Sequence, residues 1–261
     1  MRALTFGFTP CPNDAFAFHA LVHGLVEAPF EVEPVLLDIE ELNHRAREEE
    51  LDLTKLSFGA AGTVGDSYRL LRSGAALGRG AGPLVVAREE MNLKEAAAGR
   101  IAVPGLDTTA FLLLRLAAPA LGEVIELRYD HILGAVERGE VDAGLIIHES
   151  RFTYADHGLV AVADLGEWWE GETDLPVPLA GIFARSGVDA DPVETAIRAS
   201  VEYAFAHPVA SREYVRALSQ ELSDEVCEAH IALYVNEHSV DLGDEGLAAI
   251  ERLAGQAAAS A

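Results

Sequence analysis

Short apolar runs alternate with segments of helical periodicity along most of this chain, and this alternation restricts the possible folds more than any other feature. It is typical of α/β proteins, in which helices cover sheets of largely parallel strands. The pattern predicts strands at residues 4–8, 32–38, 51–57, 83–88, 100–104, 125–129, 141–148, 159–163 and 179–184. It predicts helices at residues 14–26, 40–49, 93–98, 108–120, 132–138, 192–206, 208–220, 223–236 and 244–258.

The order of these elements indicates two lobes. A glycine-rich passage at residues 78–82 and the returning segment near 179–184 are the places where we expect the chain to pass between them. The first lobe is therefore predicted to be discontinuous, with residues 1–88 and 185–261, and the second to comprise residues 89–184. A cleft between two lobes is a preferred site for a small molecule.

The charge of the chain excludes some classes of partner. The formal net charge is −24, from 43 acidic and 19 basic residues. Nucleic acids and anionic membrane surfaces both require basic patches, so neither is expected as a partner. A small anionic ligand is still compatible with this negative net charge, because the start of a helix can supply hydrogen-bond donors locally. No apolar stretch is long enough to cross a bilayer and no signal peptide is recognisable, so a cytoplasmic location is expected.

His148 follows an apolar segment that is predicted to be a buried strand. Ligands of open α/β sheets bind beyond the carboxyl ends of the strands, and histidine is the side chain best suited to proton transfer near neutral pH. The position therefore favours a catalytic base. The alternative is a structural histidine whose nitrogens are satisfied by the protein.

A second candidate is the turn before the helix predicted at 108–120. The strand before it stops at Pro104, and Asp107 or Thr108 can cap the helix. The first amides, at Thr109 and Ala110, together with the threonine hydroxyls, would form an anion-binding helix start. The alternative is an ordinary N-cap with no ligand.

Two further strand ends carry polar residues. The strand at 51–57 delivers Lys55 and Ser57 to its end; the alternatives are a solvated cation and a cap of the next turn. The first strand is followed by residues 9–14, where Cys11 has no recognisable partner base and Asn13 or Asp14 can cap the next helix. The alternative for this loop is a well-formed turn.

No metal site is predicted. Cys11 and Cys227 are too far apart in sequence to form a recognisable metal or disulfide pattern. His19 and His23 have the spacing of two ligands on one helix, but no third ligand accompanies them.

Five segments of the chain carry a resemblance to a known family. They are GFTPCPND at 7–14, LTKLS at 53–57, GRGAGPLVVA at 78–87, TTA at 108–110 and GLIIHESRFTY at 144–154. These segments resemble those of the 1,4-dihydroxy-6-naphthoate synthases, which act in the futalosine route to menaquinone. The resemblance covers most of the chain and is weakest in the helical tail.

The resemblance implies a periplasmic-binding-protein-like fold of two α/β lobes with mixed, mainly parallel sheets. It implies a lyase that converts cyclic dehypoxanthine futalosine to 1,4-dihydroxy-6-naphthoate and dihydroxyacetone without a cofactor. The family's proton acceptor falls on His148, and its substrate-binding segments fall on Lys55, Leu56 and Ser57 and on Thr109 and Ala110. The expected partner is a small anionic substrate, bound by a monomer or homodimer.

Two alternatives share this fold. A non-catalytic solute-binding protein would have the same architecture, although the lack of a recognisable signal peptide is evidence against it. A chorismate dehydratase, from the same route, is the nearer alternative, and the segment at 146–151 favours the synthase over it.

Overall fold

The computed structural model describes residues 2–219 and 223–259. Within them the chain forms strands that belong to two separate sheets. The strands are β1 (Arg2–Phe8), β2 (Phe30–Leu36), β3 (Leu53–Ser57), β4 (Tyr68–Leu70), β5 (Ala76–Gly78), β6 (Leu84–Ala87), β7 (Arg100–Val103), β8 (Glu123–Glu126), β9 (Ala143–Ile146), β10 (Val160–Asp164) and β11 (Val177–Arg185).

Helices cover both sheets and form most of the chain after β11. They are α1 (Pro12–Val22), α2 (Ile39–Arg47), α3 (Ala61–Val64), α4 (Leu93–Ala98), α5 (Thr109–Ala117), α6 (Tyr129–Glu137), α7 (Ser150–Thr153), α8 (Leu165–Thr173), α9 (Ala190–Ala206), α10 (Arg212–Leu218), α11 (Asp224–Tyr234), α12 (Glu237–Val240) and α13 (Gly243–Ala259). Short 3-10 turns occur at Gly65–Ser67 and Tyr154–His157.

The two sheets confirm the predicted two-lobed α/β class. The first has the order β2-β1-β3-β11-β4, with β5 also paired to β11, and the second has the order β10-β6-β9-β7-β8. Strand β1 is parallel to β2 and β3, and β7 is parallel to β8 and β9. Every antiparallel pair in the described part of the chain involves β6 or β11. These are the first strands after the chain crosses from one sheet to the other, and each runs against its new neighbours.

Sheet membership bears on where the lobes divide. Strand β6 belongs to the second sheet and β11 to the first, so a division that follows the sheets passes through residues 79–83 and 165–176. The boundaries at 88/89 and 184/185 stay a prediction. The glycine-rich passage does connect the two sheets, as the sequence indicated.

Two local expectations were wrong, and one helix of the second lobe was not predicted. The residues after His207 form a turn, and α10 begins only at Arg212, so Pro208 does not open a helix. Helix α6 begins at Tyr129, where the sequence indicated the end of a strand, because the buried Tyr129 and Ile132 form one apolar helix face. Helix α8 was not predicted, since two of its nine residues are glycines, which disfavour a helix. The predicted helix end at residue 220 lies outside the described residues.

The lobes are packed closely against each other. One apolar cluster includes Leu56 and Phe183 from the first sheet and Val85 and Leu145 from the second. Trp169 of α8 is fully buried in the same cluster, and its indole N–H donates to the carbonyl of Pro176 at 3.0 Å. The structure therefore shows the lobes in contact, with the cleft between them.

The crossover at Gly82 gives a testable prediction about stability. A Cβ at Gly82 would lie 2.2 Å from the Cα of Gly166, so Gly82→Ala must displace backbone. We expect a loss of about 1–3 kcal/mol in the free energy of unfolding, measured by urea denaturation. Gly171→Ala is the matched control, because a Cβ there meets no atom within 4 Å. Equal stabilities for the two variants would show that the crossover tolerates expansion.

Candidate functional site

A cleft lies between the two sheets. Both lobes contribute to its walls, and the ends of β3 and β9 meet there with the start of α5. Of the residues predicted from the sequence, those that line it are Lys55, Ser57, Thr108, Thr109, Ala110 and His148. The tertiary structure thus brings together segments that are about 90 residues apart along the chain.

His148 occupies the position that the sequence indicated. Strand β9 ends at Ile146, and His148 turns the chain with a positive φ of 56°, a conformation that is uncommon for L residues and is adopted mainly by asparagine, aspartate and histidine. Its Nε2 is shielded from solvent and has no hydrogen-bond partner among the described residues. The edge of the buried Tyr129 ring packs against the imidazole, with 5.0 Å between the ring centroids. The interpretation of a fully satisfied structural histidine therefore does not fit this ring.

The surroundings of His148 keep its imidazole neutral. Burial, and then the positive charge of Lys55, lower the pKa of His148 to about 4, against a smaller opposing effect of Asp14. A neutral imidazole with an open Nε2 can accept a proton at physiological pH.

Lys55 is not the solvated cation that the sequence left open. Its side chain and that of Asp14 are each 3% exposed, and the two form an ion pair. Asp14 also accepts hydrogen bonds from the Thr9 amide at 3.1 Å and the Thr9 hydroxyl at 2.7 Å. The expectation that Asn13 or Asp14 caps α1 was wrong. That helix begins at Pro12, so both residues lie in its first turn and face the interior.

Ser57 is held by a residue of α2. Its amide donates to Asn43 Oδ1 at 3.0 Å, and its hydroxyl accepts from Asn43 Nδ2 at 3.1 Å. The hydroxyl therefore does not cap the next turn, and its hydrogen is left to donate to an acceptor in the cleft. Asn43 also donates to Glu40, which accepts from the Asp107 amide at 3.0 Å and so reaches the other lobe. Burial raises the pKa of Glu40.

The start of α5 has the predicted N-cap. The Thr108 hydroxyl accepts from the Phe111 amide at 3.1 Å, and the amides of Thr109 and Ala110 open the helix beside the cleft. The Thr109 hydroxyl donates to the Leu179 carbonyl at 2.6 Å and accepts from an amide of the first lobe, so it joins the two lobes. The helix amides, rather than the hydroxyls, remain as donors toward an anion.

Leu56 is the one predicted binding residue that does not line the cleft. Alternate side chains of a strand point to opposite faces. Lys55 and Ser57 face the cleft, and the side chain of Leu56 is fully buried in the apolar core. Any contact that it makes with a ligand must come from its backbone.

Two groups of side chains in the described residues have the proximity that a metal ion requires. In the first, one donor atom from each of Cys11, His148 and Glu149 lies within 4.8 Å of the others. Burial, followed by the charge of Glu149, raises the pKa of the Cys11 thiol, which is therefore protonated and a weak nucleophile. The second group joins Glu40 and Asp107 through the exposed His44. The predicted absence of a bound metal remains a prediction.

The sequence analysis missed two polar residues of the cleft, His230 and Tyr234, and it considered a third, Asn13, only as a helix cap. His230 is fully buried, and its Nε2 lies 3.0 Å from Asn13 Oδ1, a contact between residues 217 positions apart. A local signal for His230 did exist. On α11 it shares the buried face with Cys227 and Tyr234, and a histidine on an apolar face calls for a polar partner.

Two α/β lobes, linked by two crossovers and enclosing a cleft lined by both, define the class of periplasmic-binding-protein-like folds. An alkanesulfonate-binding protein from Xanthomonas axonopodis superimposes with a TM-score of 0.68 at 15% identity, covering 90% of this chain and 84% of its own. A crystal structure from Archaeoglobus fulgidus superimposes with a TM-score of 0.92 at 39% identity, covering 98% of this chain and 97% of its own.

Sequence comparison identifies the family within this class. Two curated relatives carry the name 1,4-dihydroxy-6-naphtoate synthase. The Thermus thermophilus protein is 55% identical, with 99% of this chain and 95% of its own length covered. The Streptomyces coelicolor protein is 45% identical, with 98% and 93% covered. The profile of the menaquinone biosynthesis family matches residues 4–259, and the chain belongs to this family.

The described residues also bear on a membrane location. None of their helices is long and apolar enough to cross a bilayer.

Proposed function

We propose that this chain is a lyase that converts cyclic dehypoxanthine futalosine to 1,4-dihydroxy-6-naphthoate with release of dihydroxyacetone. The observation that carries the proposal is the neutral imidazole of His148, whose Nε2 has no protein partner and lies in the cleft that the start of α5 also lines. Both curated relatives are named as synthases of this naphthoate, which supports the same reaction.

In the proposed reaction His148 acts as the general base. Its Nε2 takes a proton from a hydroxyl of the sugar-derived part of the substrate, and the electron pair of that O–H bond forms a carbonyl. The adjacent carbon–carbon bond breaks, and its electrons pass into the remaining ring system, which takes the proton back from the His148 imidazolium as the ring becomes aromatic. A positioned base of this kind contributes about 10²–10⁴ in rate.

The substrate carboxylate is proposed to bind at the start of α5. The amides of Thr109 and Ala110 open that helix, and Ser57 can donate its hydroxyl hydrogen. A helix start stabilises an anion by about 0.3–1 kcal/mol when exposed and up to about 2 kcal/mol when partly buried. The fold neighbour named as an alkanesulfonate-binding protein supports anion binding in a cleft of this kind.

The low pKa of His148 predicts an unusual pH profile. Since the base is active when neutral, kcat/KM should stay level as the pH falls from 8 through 6.5 and drop only near the pKa of about 4. In Lys55→Met, removal of the positive charge favours the imidazolium, so the midpoint should move to higher pH. Circular dichroism at each pH separates this effect from acid unfolding. A wild-type midpoint near 6.5 would contradict the assignment.

The decisive test of the function is mass spectrometry of the products after incubation with cyclic dehypoxanthine futalosine. The proposal requires both the naphthoate and dihydroxyacetone. Consumption of chorismate in a parallel incubation would identify a dehydratase, and binding without turnover of either compound would identify a solute-binding protein.

The location and assembly of the protein are also proposed. A cytoplasmic enzyme fits the biosynthetic role for which the relatives are named. We propose a monomer or homodimer, which size-exclusion chromatography with light scattering can distinguish.

A further inference from the structure

The histidine that α11 brings to the cleft has one ring nitrogen with a partner and one without. His230 is 0% exposed, and its Nε2 lies 3.0 Å from Asn13 Oδ1. Its Nδ1 is shielded from solvent and makes no hydrogen bond with any described residue. A buried polar atom without a partner costs about 1–3 kcal/mol, so its retention calls for an explanation.

The neighbouring hydrogen bonds determine which nitrogen carries the hydrogen. Asp14 already pairs with Lys55 and accepts from Thr9, so it acts as a carboxylate. Asn13 Nδ2 donates to this carboxylate at 2.9 Å, which turns Asn13 Oδ1 toward His230. An amide oxygen only accepts, so His230 Nε2 must be the N–H donor. The other nitrogen, Nδ1, is therefore a lone-pair acceptor.

The groups around His230 Nδ1 leave this acceptor for a ligand. The nearest carboxylate oxygen, on Glu149, lies 3.9 Å away, which is too long for a hydrogen bond. The ring of His148 is nearly parallel to that of His230, with 6.2 Å between the centroids and 13° between the planes. Burial, with smaller contributions from the neighbouring His148 and Lys55, lowers the pKa of His230, so the ring stays neutral.

We propose that His230 is a second substrate-binding histidine, whose Nδ1 accepts a hydrogen bond from a hydroxyl of the sugar-derived part of the substrate. This inference rests on the proposed function. Two neutral imidazoles, His148 and His230, each present a ring nitrogen without a protein partner, and both line the cleft. A group with two hydroxyls, such as the three-carbon fragment, satisfies both. A carboxylate offers only acceptors and binds elsewhere, at the start of α5.

The variant His230→Gln tests this assignment. The glutamine amide nitrogen can replace Nε2 as a donor to Asn13, whereas the acceptor at Nδ1 is lost. We expect the dissociation constant for dihydroxyacetone to rise roughly tenfold, as for the loss of one hydrogen bond to a buried group. The dissociation constant for 1,4-dihydroxy-6-naphthoate should stay near the wild-type value. Ligand-observed NMR titration measures both and needs no turnover.

His238→Gln is the matched control. His238 is also buried, at 9% exposed, but its Nδ1 bonds to the Leu242 carbonyl at 3.1 Å, and it does not line the cleft. This variant should bind both products as the wild type does. The proposal fails if the wild type does not bind dihydroxyacetone, or if His230→Gln binds it normally. It also fails if His230→Gln weakens both products equally, or if His238→Gln has the same effect.

The two proposals can fail separately. If the wild type makes no naphthoate from cyclic dehypoxanthine futalosine, the proposed function is wrong. The selective loss of dihydroxyacetone binding in His230→Gln would still identify a hydroxyl-binding subsite. If turnover is normal and the selective loss is absent, only the assignment of His230 is wrong.

Discussion

His148→Asn should lower kcat by about 10²–10⁴, because the variant loses the proposed general base. Asparagine is the suitable replacement, since His148 has a positive φ of 56° and asparagine adopts this conformation more readily than alanine does. The fold should therefore survive, and affinity for 1,4-dihydroxy-6-naphthoate should change far less than turnover. Single-turnover kinetics and NMR titration of the product measure the two effects.

The matched control for this loss is His157→Asn. His157 lies on the surface, where its Nδ1 is 2.9 Å from Glu137 Oε2, and it is remote from the cleft lining. Its replacement should leave kcat unchanged. Near-normal turnover by His148→Asn would show that another group is the base.

Asp14→Asn should destabilise the protein by about 3–5 kcal/mol, because it leaves the buried ammonium of Lys55 without a counter-charge. The two side chains are each 3% exposed, so water cannot compensate for the missing carboxylate. In the double variant Asp14→Asn/Lys55→Met, the free energy of unfolding should fall by less than the sum of the decreases in the two single variants, because neither charge is left unpaired. Urea denaturation of all three variants gives the coupling.

A surface ion pair provides the comparison. Arg138 and Glu140 lie 2.8 Å apart with side chains 60% and 57% exposed, so Glu140→Gln should lower the stability far less than Asp14→Asn does. If Asp14→Asn lowers the free energy of unfolding no more than Glu140→Gln does, the buried pair of Asp14 and Lys55 contributes no more to stability than a surface ion pair.

Some parts of the site could be predicted because their signals are local. Thr108 lies one residue before an apolar helix, and its cap follows from the spacing of a hydroxyl and the amide three residues later. His148 follows an apolar strand, and because ligands of open α/β sheets bind beyond the strand ends, its position predicts a functional role. Lys55 and Ser57 are two positions apart on a strand, and the twofold period of a strand likewise predicts that they share one face.

Other parts depend on partners that are distant in sequence. The interaction of His230 with Asn13 joins the last third of the chain to the first helix, across 217 positions. Similarly, Asn43 of α2 holds Ser57, so the serine does not act as the cap that its own segment suggests. No local rule identifies such pairs, because packing of whole elements decides which polar groups meet.

The sequence by itself determined the two-lobed α/β class, the helix start at Thr109 and the position of His148 at a strand end. Strand periods and caps arise from interactions within a few residues, so they can be read along the chain. Only the tertiary structure decided that Lys55 is buried against Asp14 and that His230 faces the cleft. Burial removes water from these groups, so their charge and hydrogen bonds are set by neighbours that the chain supplies from afar.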